Sequence, residues 1–128
     1  MVAEDSYESR LPLAGLRILL DLGNEFGFDP SSSVELEEFF FRLVNSYHGP
    51  PAGLGDWLRP ILTHTFRCLS HPPRWIQNPN WQMCGHVPML FVGQVDVRAC
   101  EGVLHDEASF YVFFDPASGE CRTVMQIA

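Results

Sequence analysis

Lysine is absent from this chain, because all eight basic residues are arginine. The absence excludes chemistry that needs a lysine amine, such as Schiff-base catalysis or the phosphate-binding lysine of a P-loop. The stretch Gly53-Leu54-Gly55 is too short to cradle a phosphate, and no glycine-flanked serine forms a nucleophile-elbow motif. These absences predict a protein that is not an enzyme.

The sequence also lacks the hydrophobicity and charge patterns that are typical of targeting and membrane-spanning segments. Residues 1–10 carry Glu4, Asp5 and Glu8, the opposite of the basic start of a secretory signal. The apolar runs are far shorter than the roughly 20 residues that span a bilayer. No internal repeat or low-complexity tract occurs. We therefore expect a soluble, cytoplasmic protein that forms one domain over residues 1–128.

Negative charge is concentrated in the first third of the chain. Residues 1–38 hold nine acids and two arginines, a net charge of −7, whereas residues 39–128 hold seven acids and six arginines, a net charge of −1. Such a surface repels nucleic acid and anionic membranes and attracts basic partners. The alternative is that these acids form only a solvated, solubilising helix surface.

The first half of the chain has helical patterns. A leucine-rich segment over residues 11–22 has Pro12 in its first turn, and Gly23 and Gly27 suggest its end. A second helix is predicted from a capping box, Ser32 with Glu35, followed by one apolar stripe at helical spacing. The stripe comprises Leu36, Phe39, Phe40, Leu43, Val44 and Tyr47.

A third helix is predicted from Asp56, as its N-cap, to about Leu69, with Pro60 in or just beyond its first turn. Its core face comprises Trp57, Leu58, Ile61, Leu62, Phe66 and Leu69.

The pattern changes to strands after residue 74. Residues 89–97 alternate between two sets that are both largely apolar, which favours a central strand. Residues 110–114 and 122–127 flank a turn-rich segment and predict an antiparallel hairpin. Helices followed by strands predict an α+β fold, with a helical part (11–70) packed on one face of an antiparallel sheet (74–128). The predicted core is Leu16, Leu19, Phe39, Leu43, Leu62, Phe66, Phe91, Val95, Val112, Phe114, Val124 and Ile127.

The strand region resembles a known family. The segment 75–97, WIQNPNWQMCGHVPMLFVGQVDV, and the end 110–128, FYVFFDPASGECRTVMQIA, are similar to YwqG-like (DUF1963) bacterial proteins. In that family a tryptophan-containing approach leads to a PM-aliphatic-aromatic-aliphatic-GQ strand and an aromatic strand. The resemblance covers residues 74–128 and implies a fold more than a function. Many such small proteins lie beside toxins as immunity proteins.

The cysteines suggest a metal site only weakly. Cys68, His71, Cys84 and His86 form C-x2-H and C-x-H pairs, and zinc favours four such ligands, but the second spacing is unusually tight. We therefore expect no metal and no other cofactor. The four cysteines, which include Cys100 and Cys121, are irregularly spaced. We expect no disulfide framework, because the core does not need one and no signal sequence supports it.

The sequence supports a catalytic site equally weakly. Cys84 or Cys100 with His105 and Asp106 could be combined into a nucleophilic set, but a polar turn explains the last two residues as well. The Glu35, Glu37 and Glu38 carboxylates favour the positive end of a helix dipole, so helix stability already accounts for them.

The function that we expect is binding of a basic protein partner, with no nucleic acid or membrane partner. The protein would be an immunity protein that neutralises a bacterial toxin by occluding its basic active site. The predicted contact residues are Asp21, Glu25, Glu35, Glu37, Glu38, Trp57, Trp75 and Trp81. For Trp75 and Trp81 a structural plug is the favoured alternative, and Gln94 is expected to satisfy a loop backbone. The alternative function is a YwqG-like small-ligand or metal-binding domain with a pocket lined by residues 75–94.

Overall fold

The computed structural model describes residues 13–98 and 107–128 of the chain. Three α-helices come first: α1 (Leu13–Phe26), α2 (Val34–Asn45) and α3 (Leu54–Thr65), the last preceded by a 3-10 turn at Pro51–Gly53. The strands follow: β1 (Met83–Cys84), β2 (Val87–Pro88), β3 (Leu90–Val97), β4 (Ala108–Phe114) and β5 (Cys121–Ile127). All strand pairs in the two sheets are antiparallel. The α+β prediction is confirmed. Within these ranges no helix combines the length and apolarity needed to cross a membrane.

The end of α1 and the start of α2 are each marked by a specific hydrogen bond to the backbone. α1 ends before Gly27, whose φ of 95° is a left-handed conformation suited to glycine, and the Gly27 N–H donates to the Gly23 carbonyl at 2.7 Å. At the start of α2 the N-cap is Ser33, whose hydroxyl accepts the Leu36 N–H at 3.1 Å. The predicted cap, Ser32, was wrong by one residue.

The third helix is displaced from its predicted position. Its N-cap is Gly53 rather than Asp56, because the 3-10 turn leads directly into it, and Asp56 lies in the first turn. Pro60 lies inside the helix. The helix ends at Thr65, and the predicted core residue Leu69 is 66% exposed. The chain leaves the helix there because the Leu69 N–H donates to the Phe91 carbonyl at 3.1 Å, beside β3.

The main sheet has the order β3-β4-β5, so β4 is the central strand. The prediction that residues 89–97 form a central strand was wrong, since β3 lies at one edge. Only its start is covered there, where the Phe91 N–H donates to the Arg67 carbonyl at 2.9 Å. The predicted hairpin between β4 and β5 is confirmed, with Phe114 paired to Cys121 and Ala108 to Ile127.

The helices pack on one side of this sheet, which we call the inner face. Phe66 of the helical layer meets Trp81 at a ring distance of 5.1 Å, and Trp81 meets Phe113 of β4 at 5.4 Å. Buried side chains from both layers form one hydrophobic cluster. It includes Leu19, Leu22, Phe28, Leu36, Phe40, Leu58, Leu62, Phe66, Trp81, Met89, Phe91, Tyr111 and Phe113.

Four core predictions were wrong. Val95 and Ile127 are 57% and 44% exposed, and Val112 and Phe114 are only partly buried, on the side of β4 opposite to the fully buried Phe113. Both alternating sets of β4 are apolar, so alternation could not identify the inner one, and in β5 the inner face carries Arg122 and Gln126. In β3 a bulge between Phe91 and Gly93 also shifts the register, so that Phe91 faces the core and Val95 faces away.

Candidate partner-binding surface and clefts

The predicted acidic contact residues lie on α1 and α2, on either side of the connection between them. Asp21 and Glu25 are exposed on α1, one helical turn apart, and Glu35, Glu37 and Glu38 lie in the first turns of α2. The connection, residues 27–33, joins the end of α1 to the start of α2. We call these five residues the acidic end.

Arginine side chains approach the acidic end from two sides. The Arg59 guanidinium of α3 donates to the Glu25 carboxylate, with both side chains about half exposed. The pKa of Arg122, on β5, is raised mainly by its hydrogen bond to Glu120. The negative charge of Glu35 raises it further. The acidic end is therefore partly neutralised within the chain itself.

The three tryptophans have different environments. Trp81 is 1% exposed and its indole N–H donates to the Met89 carbonyl at 2.9 Å, the arrangement of a structural plug. Trp75 is partly buried, stacks on Tyr111 at 4.3 Å, and donates to the Gly27 carbonyl at 2.7 Å. It thereby ties the strand region to the end of α1. Trp81 offers no ring surface to a partner in this conformation.

Trp57 differs from the other two because it lies on a helix surface. It is partly exposed on α3 and contacts Tyr47 at a ring distance of 5.0 Å. Of the predicted aromatic contact residues, it is the one on the helical layer.

Gln94 satisfies a loop backbone, as the sequence predicted. Its carbonyl oxygen accepts the Arg74 N–H at 2.8 Å, and its amide donates to the Arg74 carbonyl at 3.1 Å and to the Asp96 carboxylate at 2.8 Å. The Ser109 hydroxyl donates to the same carboxylate at 2.6 Å. The Ser109 bond, followed by the Gln94 bond, lowers the pKa of Asp96.

A small cleft of about 270 Å³ adjoins this network at the end of the sheet. It is lined on one side by Arg74 and Gln94 and on the other by Arg98 and Glu107. Arg74 and Ser109 belong to no recognisable sequence pattern, since they are 35 positions apart and only the β3–β4 register and the loop bring them together.

A larger polar cleft lies between the α1–α2 connection and the loop before β1. Its volume is about 760 Å³, and its lining is almost wholly polar: Asp29, Ser31, Ser32, Gln77, Asn78, Pro79, Asn80 and Gln126. Gln126 fixes the loop wall, because its buried side chain accepts the Ile76 and Gln77 N–H groups at 3.1 and 2.9 Å and donates to the Asn78 carbonyl. Gln126 carried no signal in the sequence, since one glutamine in a strand has no recognisable pattern.

The predicted metal-ligand pairs lie in different surroundings. Cys68 forms an isolated bridge with Phe91, and burial raises the pKa of its thiol to about 11. Cys84 lies instead near Ser118 and Glu120, its sulfur 3.8 and 3.5 Å from their side-chain oxygens. Across residues 13–98 and 107–128, no three His, Cys, Asp or Glu side chains are grouped as metal ligands.

Of the residues in the predicted nucleophilic set, the structure describes Cys84. Hydrogen bonding to Asp115 is the main cause that raises the pKa of Cys84, which keeps the thiol protonated and disfavours nucleophilic attack. Cys100, His105 and Asp106 lie outside the described residues.

Comparison with known proteins adds no assignment to this geometry. The chain matches no protein-family model, and no curated protein and no solved structure matches it significantly. The resemblance of residues 74–128 to YwqG-like proteins therefore stays a prediction.

Proposed function

We propose that this chain is an acidic protein-binding protein of the immunity type, which neutralises a cognate bacterial toxin by occluding its basic active site. One observation carries the proposal: residues 1–38 hold −7 of the net charge of −8. Enzymes that act on nucleic acid or nucleotides have basic clefts, because their substrates are anionic. An acidic surface competes with those substrates for the cleft.

The position of the acidic residues on the helices supports a role beyond helix stability. Glu35 and Glu37 lie in the first turn of α2, where the helix dipole stabilises carboxylates. Glu25 lies in the last turn of α1, where the dipole disfavours a carboxylate, and α1 has no basic residue in that turn. Arg59 of α3 pairs with Glu25, and a binding role gives a further reason for negative charge at this helix end.

The expected physical role of the acidic end is to accelerate encounter. Complementary charge raises association rates and makes them dependent on ionic strength, whereas short-range contacts set the dissociation rate. Trp57, partly exposed on α3, would supply such a contact.

The test compares neutralised variants at the acidic end with matched variants elsewhere. Arginine at the start of α2 would oppose the helix dipole, so Glu35→Gln, Glu37→Gln and Glu38→Gln are combined instead. The control combines Asp56→Asn with Glu107→Gln, two exposed acids outside the acidic end. The partner is captured from a host-cell extract, identified by mass spectrometry, and used in stopped-flow association.

The acidic-end variant should associate roughly tenfold more slowly, with a shallower dependence on salt, while the control matches wild type. The captured protein should also be a toxin whose activity wild-type protein inhibits. Equal association rates for wild type and the acidic-end variant would contradict the proposal and leave these acids as a solubilising surface.

The polar cleft supports a second candidate, a YwqG-like small-ligand domain. Its lining offers amide and hydroxyl groups with one carboxylate, Asp29, which suits a neutral or cationic polar molecule better than an anion. Residues 77–80 of the predicted 75–94 pocket segment form one wall.

A thermal-shift screen of sugars, polyols and polyamines tests this candidate, followed by calorimetric titration. Ser31→Phe, which fills the cleft from an exposed position, should abolish binding, whereas Ser70→Phe, at another exposed serine, should not. Binding that is unchanged in Ser31→Phe would exclude the cleft as the ligand site.

A further inference from the structure

The side of the main sheet that faces away from the helices carries no charged residue. We call it the outer face. The strand register assigns to it alternate residues of β3, β4 and β5. They are Leu90, Gly93, Val95, Val97, Ala108, Phe110, Val112, Phe114, Cys121, Thr123, Met125 and Ile127. Eleven residues of this set are apolar, glycine or cysteine, and the remaining one is threonine.

Within the described part of the chain, the hydrophobic cluster does not extend to the outer face. None of its residues belongs to the hydrophobic cluster or contacts that cluster, although inner-face residues of the same strands do. Val95, Met125 and Ile127 are 57%, 53% and 44% exposed. At Gly93 a Cβ atom would meet no atom within 4 Å. The most exposed positions therefore lie on the two edge strands, β3 and β5, whereas on the central strand Ala108 is buried and Phe110, Val112 and Phe114 are partly buried.

An antiparallel sheet with one solvated face normally alternates apolar and polar residues. Here the outer face is the more uniformly apolar of the two, because the inner face also carries the polar residues Gln94, Asp96, Ser109, Arg122 and Gln126. A solvated face would be expected to carry such residues instead. Contiguous apolar surface of this kind marks an interaction site in folded proteins.

We propose that two copies of this chain associate through their outer faces. Charge favours a second copy as the occupant. The chain carries a net charge of −8, so most pairs of surfaces from two copies would repel each other. The outer faces bring no charges together and leave the acidic ends on the two outer sides of the dimer.

The geometry suits a twofold dimer. An uncharged, apolar face is complementary to itself, and two such sheets pack about 10 Å apart with strands crossing at roughly 30°. Gly93, halfway along the edge strand β3, leaves open space that a side chain of the partner copy would fill.

The size of the face sets the expected affinity. Strands of seven to eight residues rise about 3.4 Å per residue and lie about 4.8 Å apart, so three of them form a face of roughly 25 by 14 Å. The two copies would bury only roughly 700 Å² through this face, which is below the usual range of stable interfaces, so we expect a weak dimer with a dissociation constant on the order of 100 µM.

The test measures the mass in solution of the full chain and of charged variants, by sedimentation equilibrium from about 1 to 500 µM. Val95→Glu combined with Met125→Glu buries four unpaired charges in the dimer, while both positions are exposed in the monomer. The control is Val87→Glu, because Val87 is 59% exposed, close to the 57% of Val95, and lies on β2 outside the main sheet.

Wild type and Val87→Glu should change from 14.5 kDa toward twice that mass over this range. In the double variant the dissociation constant should rise by about 100-fold or more, which leaves it monomeric. Labelling of Cys121, an exposed thiol of the outer face, should slow as wild-type protein is concentrated.

Added salt separates this inference from the proposed function. Salt screens repulsion between two acidic chains and should tighten the dimer, whereas it should weaken attraction to a basic partner. The inference is overturned if wild type stays monomeric to 500 µM, or if the double variant dimerises like wild type. A monomer in which Cys121 labels slowly at every concentration would also overturn it, because another part of the chain would then cover the face.

Discussion

Individual side chains in this protein satisfy backbone groups that would otherwise be unpaired. Gln94 forms hydrogen bonds to both the N–H and the carbonyl of Arg74, and Gln126 holds the backbone of residues 76–78. Trp75 and Trp81 each donate an indole N–H to a main-chain carbonyl. Because the loop between α3 and β1 has little regular structure, these contacts substitute for a strand ladder.

At the residue scale, neighbouring phenylalanines on β4 should differ sharply in their contribution to stability. Phe113→Ala should lower the free energy of unfolding by about 3–5 kcal/mol, because the ring is fully buried between Trp81 and Phe91. Phe91→Ala should cost a similar amount. Phe114→Ala should cost clearly less, since that ring is partly exposed on the outer face.

Urea unfolding of these variants at a protein concentration that keeps the chain monomeric gives the comparison. Equal losses for Phe113→Ala and Phe114→Ala would show that the face of β4 assigned to the core is wrong.

At the scale of elements, the connections decide where helices and strands begin. α2 begins at Ser33 because its hydroxyl reaches the Leu36 N–H, whereas the Ser32 hydroxyl is buried and has no hydrogen-bond partner among the described residues. Two adjacent serines therefore have opposite roles, although either fits the capping pattern in the sequence.

This difference gives a prediction with an internal control. Ser33→Ala should destabilise the protein by about 1 kcal/mol through loss of the cap. Ser32→Ala should be neutral or stabilising, because it removes a buried polar atom that gains no hydrogen bond on folding. Chemical denaturation followed by circular dichroism measures both changes. A larger loss of stability for Ser32→Ala than for Ser33→Ala would show that Ser32, as the sequence predicted, is the N-cap of α2.

At the scale of the whole molecule, carboxylates in the strand region couple stability to pH. A hydrogen bond from Ser109 lowers the pKa of Asp96, one from Ser118 lowers the pKa of Asp115, and one from Arg122 lowers the pKa of Glu120. Groups with a lower pKa in the folded state bind fewer protons there than in the unfolded state. Their contribution is complete above the unfolded pKa, about 4, and is lost as pH falls through the folded values.

We therefore expect the urea midpoint to fall as the pH is lowered below about 4. Asp96→Asn should lower the midpoint at pH 7 and reduce the further loss on acidification, and Ser109→Ala should act in the same direction because it removes the main cause of the Asp96 shift. A loss on acidification that is identical in wild type and Asp96→Asn would exclude Asp96 from the pH dependence.

The sequence by itself determined the fold class and the approximate elements. Helical spacing in α2 and its flanking glycine and prolines are local properties, as are the turn residues between β4 and β5, so they could be recognised without the structure. The concentration of acid in the first third is also a property of the sequence alone. For the candidate site, the sequence identified the acidic residues and the role of Gln94.

Only the tertiary structure decided which face of each strand is covered. Both alternating sets of β4 are largely apolar, both sets of β3 begin apolar, and the bulge after Phe91 reverses the inward direction, so Val95 and Phe114 could not be assigned from alternation. The polar cleft and the Arg74–Gln94–Asp96 network join residues far apart in sequence. The physical reason is that burial depends on which elements meet, and local periodicity carries no information about that choice when both faces are equally apolar.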